Sequence, residues 1–110
     1  MKIFIIGSGT FGTAISNILS FNINNKVVLY CRNIDKVNEI NLTHTNKKYF
    51  PNKKLNSNLK ASNEFSCISE ADVVFIALPS SSIKYVVENF KQYISSSQLV
   101  VNLSKGIFED

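Results

Sequence analysis

Apolar and polar positions alternate along this chain in blocks, and the blocks have two different periods. Residues 2–6 form an unbroken apolar run rich in isoleucine, which predicts a strand buried on both faces. Residues 7–12 read as a turn. Phe11, Ile15, Ile18 and Leu19 then fall on one helical stripe, with Ala14 beside them, and the turn-formers at 22–25 end that helix. Residues 26–31 carry Val27, Val28, Leu29 and Tyr30 and predict a second buried strand. Asn33 or Asp35 is the expected cap of a short helix whose apolar face is Ile34, Val37 and Ile40.

Residues 41–57 are polar, with Pro51 and several asparagines. A loop this long calls for a functional or packing reason, which the bias toward Asn and Lys does not by itself supply. Residues 59–62 predict a short strand and 63–70 a short helix. Residues 72–78 form the third strong strand, stopped by Pro79. Ser80 or Ser81 is the expected cap of a helix bearing Ile83, Val86, Val87, Phe90 and Ile94, and residues 98–103 form the fourth strong strand. Strong apolar strands alternating with amphipathic helices imply parallel pairing through right-handed crossovers, hence an α/β doubly wound sheet.

The bulk properties fit one domain over residues 1–110. The chain has 110 residues, of which 45% are apolar, enough for a packed core and too many for intrinsic disorder. The net charge of +4 is modest. Lys47, Lys48, Lys53 and Lys54 cluster in one stretch, expected as a solvated basic loop with weak steering of anions. Nucleic-acid binding would need a denser basic stripe or interleaved aromatics and is not expected. Cys31 and Cys67 lack metal-type spacing, so no metal is expected. Cys31 closes an apolar run and is predicted as a buried free thiol in a reducing compartment. The first six residues are too short an apolar run for a signal peptide or membrane span, which makes a cytoplasmic protein the expectation. Two matches to the glycosylation sequon, at Asn41 and Asn102, are set aside on the same ground.

The chemistry concentrates in Gly7-Ser8-Gly9-Thr10-Phe11-Gly12. This G-x-G-x-x-G follows a buried strand, opens an amphipathic helix and begins a βαβ unit, the context of a Rossmann-type dinucleotide site. Gly7 would permit the tight turn, Gly9 the approach of a pyrophosphate, and Gly12 the close packing of helix on strand. The helix starting near Thr10 directs free N–H groups and a positive dipole end at the phosphates, with Ser8 and Thr10 as further hydroxyl donors. About 20 residues on, where an NAD site usually has an acid, the sequence reads Tyr30-Cys31-Arg32-Asn33, with no acid before Asp35. Arg32 stands where a guanidinium would grip a 2′-phosphate, so NADP(H) is favoured and NAD(H) stays open.

With these residues in place, the whole chain resembles the N-terminal domain of the NAD(P)-dependent glycerol-3-phosphate dehydrogenases. The likeness is carried by the glycine loop continuing into Thr13-Ala14, by Leu29-Tyr30-Cys31-Arg32, and by Ile40-Asn41 followed by Tyr49-Phe50-Pro51 and Leu55. Leu78-Pro79-Ser80 and Ser104-Lys105-Gly106-Ile107 complete the set. Asn56 and Asn63 depart from the family pattern, at positions away from the loop. The resemblance implies that Thr10, Phe11, Arg32 and Lys105 contact the dinucleotide, Lys105 the substrate as well, with Tyr49 and Pro79 as further cofactor-side candidates. Lys105 follows the fourth strong strand, where ligands of such sheets bind. His44, the only histidine, reads as an ordinary loop residue.

The implied activity is hydride transfer between NAD(P)H and dihydroxyacetone phosphate, or NAD(P) and sn-glycerol 3-phosphate, serving glycerophospholipid synthesis. The family's general base is a lysine in a helical C-terminal domain, which this chain does not contain. The chain is therefore expected to be the N-terminal part of a longer enzyme, with no catalytic residue of its own and no turnover alone. A homodimer of the full-length protein is compatible with the resemblance. Rival expectations are a dehydrogenase of 3-hydroxy acids or a ketopantoate-like substrate, and a non-catalytic dinucleotide-binding module.

Overall fold

The computed structural model describes residues 1–103. The four apolar blocks become strands β1 (Lys2–Ile6), β2 (Lys26–Tyr30), β4 (Val73–Ile76) and β5 (Leu99–Asn102), joined by the weaker β3 (Leu59–Ser62). Helices α1 (Thr10–Ser20), α2 (Ile34–Thr43) and α3 (Ser80–Phe90) make three of the crossovers. Short 3₁₀ turns at Phe65–Glu70 and Lys91–Tyr93 fill the rest. All pairings are parallel, in the order β3-β2-β1-β4-β5, with Ile5 opposite both Leu29 and Phe75. The chain runs outward from β1 to β3, then returns to lay β4 on the other flank of β1. That reversal is the switch point at which sheets of this class bind ligands.

Because side chains alternate across each strand, β1 feeds two cores. Ile3 and Ile5 join Val27, Leu29, Val37 and Ile40 beneath α1 and α2. Phe4 and Ile6 join Ile68, Val74, Val86 and Phe90 beneath α3 and the first 3₁₀ turn. Each wholly buried isoleucine or leucine contributes about 1.5–3 kcal/mol, which makes β1 the keel of the fold. The doubly wound sheet expected from the sequence is thus present.

Several local expectations change. The stripe on α1 is displaced: Gly12, Thr13, Ser16, Asn17 and Ser20 face inward, Ile15 and Leu19 are half-buried, and Phe11 and Ile18 point out, Ile18 to 66% exposure. The helix lies too close to the sheet for large side chains. Its inward hydroxyls are satisfied locally, Ser16 donating to the Gly12 carbonyl at 2.6 Å and Ser20 to that of Ser16 at 2.7 Å. On α2, Asn33 is the cap, its Oδ1 accepting from the Asp35 N–H at 2.7 Å, whereas Ile34 is exposed and the helix runs on through Thr43. On α3, the cap position falls to Pro79 rather than to Ser80 or Ser81. Ile94 lies past the end of α3 but still packs on the second core. No helix among the described residues is long and apolar enough to cross a membrane.

Candidate functional site

The turn after β1 is shaped by two glycines that have no room and one that has. Gly7 adopts φ of +122°, a conformation L side chains avoid, and a Cβ there would run into the Ala77 carbonyl just past β4. A Cβ on Gly12 would strike the carbonyl of Gly7, so the first turn of α1 lies against the strand end. Gly9, the N-cap of α1, has nothing within 4 Å of its Cβ position. Packing therefore explains Gly7 and Gly12 but not Gly9. A bare backbone facing open space is what a ligand approaching the main chain requires. No acidic residue occupies the first turn of α1, so the positive end of its dipole is not neutralised from within the helix.

The polar loop after α2 has a packing reason after all, carried by its asparagines. Asn46, wholly buried, donates from Nδ2 to the Ser8 carbonyl at 3.2 Å and to Thr13 Oγ1 at 3.0 Å. Thr13 donates to the same Ser8 carbonyl at 3.1 Å. The Asn56 N–H donates to Asn17 Oδ1 at 2.6 Å, and Glu39 accepts from Thr45 Oγ1 and the Lys47 N–H. The loop is thus pinned to α1, α2 and the glycine turn. Asn46 carries no periodic signal, and sequence reasoning missed it.

Two clefts flank the turn and share Gly7, Ser8 and Leu78. The first, of about 410 Å³, lies beyond the ends of β1 and β2, with Tyr30 and Arg32 on one side and Ser82, Tyr85 and Asn89 of α3 on the other. The Arg32 guanidinium sits 5.9 Å from the centre of the Tyr85 ring. The second, of about 600 Å³, takes Gly9, Thr10 and Phe11 from the turn, Tyr49 and Phe50 from the loop, and Pro79. The Tyr49 ring has the Lys36 ammonium 4.7 Å and the Lys48 ammonium 5.5 Å from its centre. The structure therefore brings Ser8, Thr10, Phe11, Arg32, Tyr49 and Pro79 around one turn. Gly12 lies beneath it, and Lys105 falls outside the described residues. Tyr85, Asn89 and Phe50 are additions that the sequence did not nominate.

Cys31 is wholly buried, as expected. Burial pushes its thiol up from 9.0 to about 11, with a hydrogen bond to Ser8 and the charge of Lys36 pulling weakly the other way. It is a neutral packing group, not a nucleophile. His44 supplies the left-handed C-cap of α2 at φ of 58°, and its Nδ1 is buried without a hydrogen-bond partner among the described residues. No group of three metal-ligating side chains occurs among the described residues.

Comparison with known proteins bears on the family and the fold. The family model described as "NAD-dependent glycerol-3-phosphate dehydrogenase N-terminus" matches residues 2–110. A glycerol-3-phosphate dehydrogenase [NAD(P)+] of Orientia tsutsugamushi is 43% identical over 108 residues, covering 97% of this chain and 32% of the relative. The glycerol-3-phosphate dehydrogenase of Plasmodium falciparum superposes with a TM-score of 0.83 at 27% identity, over 93% of this chain and 31% of that one. A Saccharomyces cerevisiae glycerol-3-phosphate dehydrogenase, at TM-score 0.84 and 23% identity over 93% of this chain and 33% of its own, shows the same fold. The chain spans about a third of the length of the curated relatives it matches. It belongs to the NAD-dependent glycerol-3-phosphate dehydrogenase N-terminal family.

Proposed function

We propose that this chain is the dinucleotide-binding part of an NAD(P)-dependent glycerol-3-phosphate dehydrogenase. The observation that carries the reading is the bare Gly9 backbone, open to space at the front of α1 and flanked by two clefts. Those residues fit the ligand's chemistry: backbone amides and an uncompensated helix dipole for a diphosphate, and a cleft on each side for its two nucleoside halves. The turn Gly7–Gly12 would hold the diphosphate. Tyr30, Arg32 and Tyr85 would wall the adenosine side, and Phe11, Tyr49, Phe50 and Pro79 the nicotinamide side.

When bound, the dinucleotide supplies the hydride exchanged with C2 of glycerol 3-phosphate or dihydroxyacetone phosphate. The chain's own residues bind and orient it. Lys105, just past β5, would reach cofactor and substrate as the family resemblance implies. The family resemblance implies a general base from a lysine of a helical domain, and the part played by the residues described is to bind and orient the cofactor. We read the full-length protein as a cytoplasmic enzyme serving glycerophospholipid synthesis, with small phosphate esters rather than nucleic acid as its ligands. The family match over residues 2–110 weighs against the 3-hydroxyacid and ketopantoate-type alternatives.

Arg32, exposed at the end of β2 with no acid beside it in sequence, favours NADP(H). Titrating the chain with NADPH and NADH by fluorescence tests both levels. Tight saturable binding of either supports the site. Arg32→Ala is expected to weaken NADPH about tenfold or more, as loss of a charge-assisted phosphate contact should, while NADH changes little. Equal losses would remove the 2′-phosphate role, and no binding of either ligand would remove the site.

A further inference from the structure

Resting on that reading, the geometry points to Asn46 as a positioning residue: with Thr13 it holds the Ser8 carbonyl inward and so presents the Gly9 amide outward to the diphosphate. A planar trans peptide directs its C=O and N–H in opposite senses. The Ser8 carbonyl receives two hydrogen bonds, from Asn46 Nδ2 at 3.2 Å and Thr13 Oγ1 at 3.1 Å, both from buried side chains. Its peptide partner, the N–H of Gly9, must then face away from them, at the residue whose surroundings are open.

The amide of Asn46 is otherwise hard to account for. Its Nδ2 has two acceptors, but its Oδ1 is buried with no hydrogen-bond partner among the described residues. An unpaired buried acceptor is destabilising, and a leucine, of the same branched shape though bulkier, would remove it. Removing Asn46 also strands neither of its acceptors, because Thr13 and Ser8 still bond to each other. Pinning the loop therefore does not by itself require this donor to be aimed at the Ser8 carbonyl. The loop that carries Asn46 also brings Tyr49 and Phe50 to the second cleft, so one side chain ties that aromatic wall to the turn.

The test is a calorimetric titration of the chain with NAD and with adenosine, which lacks the diphosphate, alongside thermal unfolding. Asn46→Leu should weaken NAD about tenfold and leave adenosine within about twofold, with only a modest shift of the unfolding midpoint from its added bulk. Asn46→Asp should lose NAD affinity near neutral pH and regain part of it on acidification, because a protonated carboxyl can again donate once. The unsubstituted chain has no such profile. Should Asn46→Leu fail to fold, Thr13→Val, which removes the other inward donor, is expected to show the same loss confined to NAD. Unchanged NAD binding in these variants, or parallel loss of NAD and adenosine with a falling midpoint, overturns the inference. An unsubstituted chain that binds adenosine but not NAD overturns instead the dinucleotide reading beneath it.

Discussion

The two edge strands have the same length, four residues, and opposite finishes. On β3, Leu59 is wholly buried and the Asn41 side chain clasps Ala61, donating to its carbonyl at 3.0 Å and accepting from its N–H at 2.8 Å. On β5, Leu99 is 60% and Val100 41% exposed. Strand length and apolar content do not close an edge. What closes β3 is a side-chain amide from α2 that takes up the free backbone groups of Ala61. The flank of β1 bearing β2 and β3 is finished by its own side chains, whereas on β5 the apolar Leu99 and Val100 stay exposed among the described residues.

That contrast can be broken at several strengths. The largest effect belongs to the junction of the two flanks: Gly12→Val drives a side chain into the Gly7 backbone and should cost about 3 kcal/mol or more in chemical unfolding. Gly9→Val, in open space but at the N-cap of α1, should cost about 1 kcal/mol or less and abolish dinucleotide binding. The opposite ranking of the two variants would refute the division of labour between them.

Next comes the buried thiol of the finished flank. The pKa of Cys31 is raised from 9.0 to about 11, so the folded chain keeps this proton where the unfolded chain has lost it. Its contribution is complete below about pH 9 and drains away toward about pH 11, a loss of about 2–3 kcal/mol. Tyr30, raised by burial from 10.0, adds in the same direction. Urea midpoints across that range should fall steeply, and Cys31→Ala should flatten the thiol's share. A thiol reagent should meanwhile modify the half-buried Cys67 first.

Smaller is the edge clasp. Asn41→Leu leaves both backbone groups of Ala61 without their side-chain partner, at about 1–2 kcal/mol, and should speed hydrogen exchange at the Ala61 amide. Smallest is the exposed apolar pair on β5: Leu99→Lys should change stability by less than about 0.5 kcal/mol but reduce self-association in sedimentation at high concentration.

The sequence was most legible where burial is two-sided. β1 and β2, and β4 in part, read directly because both faces are covered and the apolar run is uninterrupted. The glycine turn read from its spacing, and its neighbours Ser8, Arg32 and Tyr49 do gather around it. The inward face of α1 was illegible because apolar periodicity assumes that large side chains face the sheet, whereas contact at Gly12 admits only small ones. Tyr85 and Asn89 were overlooked because they lie off the apolar stripe of α3. Their spacing with Ser82, one helical turn apart, was the signal that could have found them. The asparagines of the loop have no periodicity at all, since each acts through one hydrogen bond to a distant segment.

The packing of Gly7 on the Ala77 carbonyl bears on the order of assembly. Strand β1 and the segment leading into β4 are about seventy residues apart in sequence, as the bond from the Lys2 N–H to Asp72 records. The turn acquires its shape only when that distant segment docks, an encounter slow by virtue of its loop length. A partly folded chain holding only the first three strands would have the glycines but no competent turn. Ligand added during refolding should therefore leave the folding rate untouched and act by slowing unfolding.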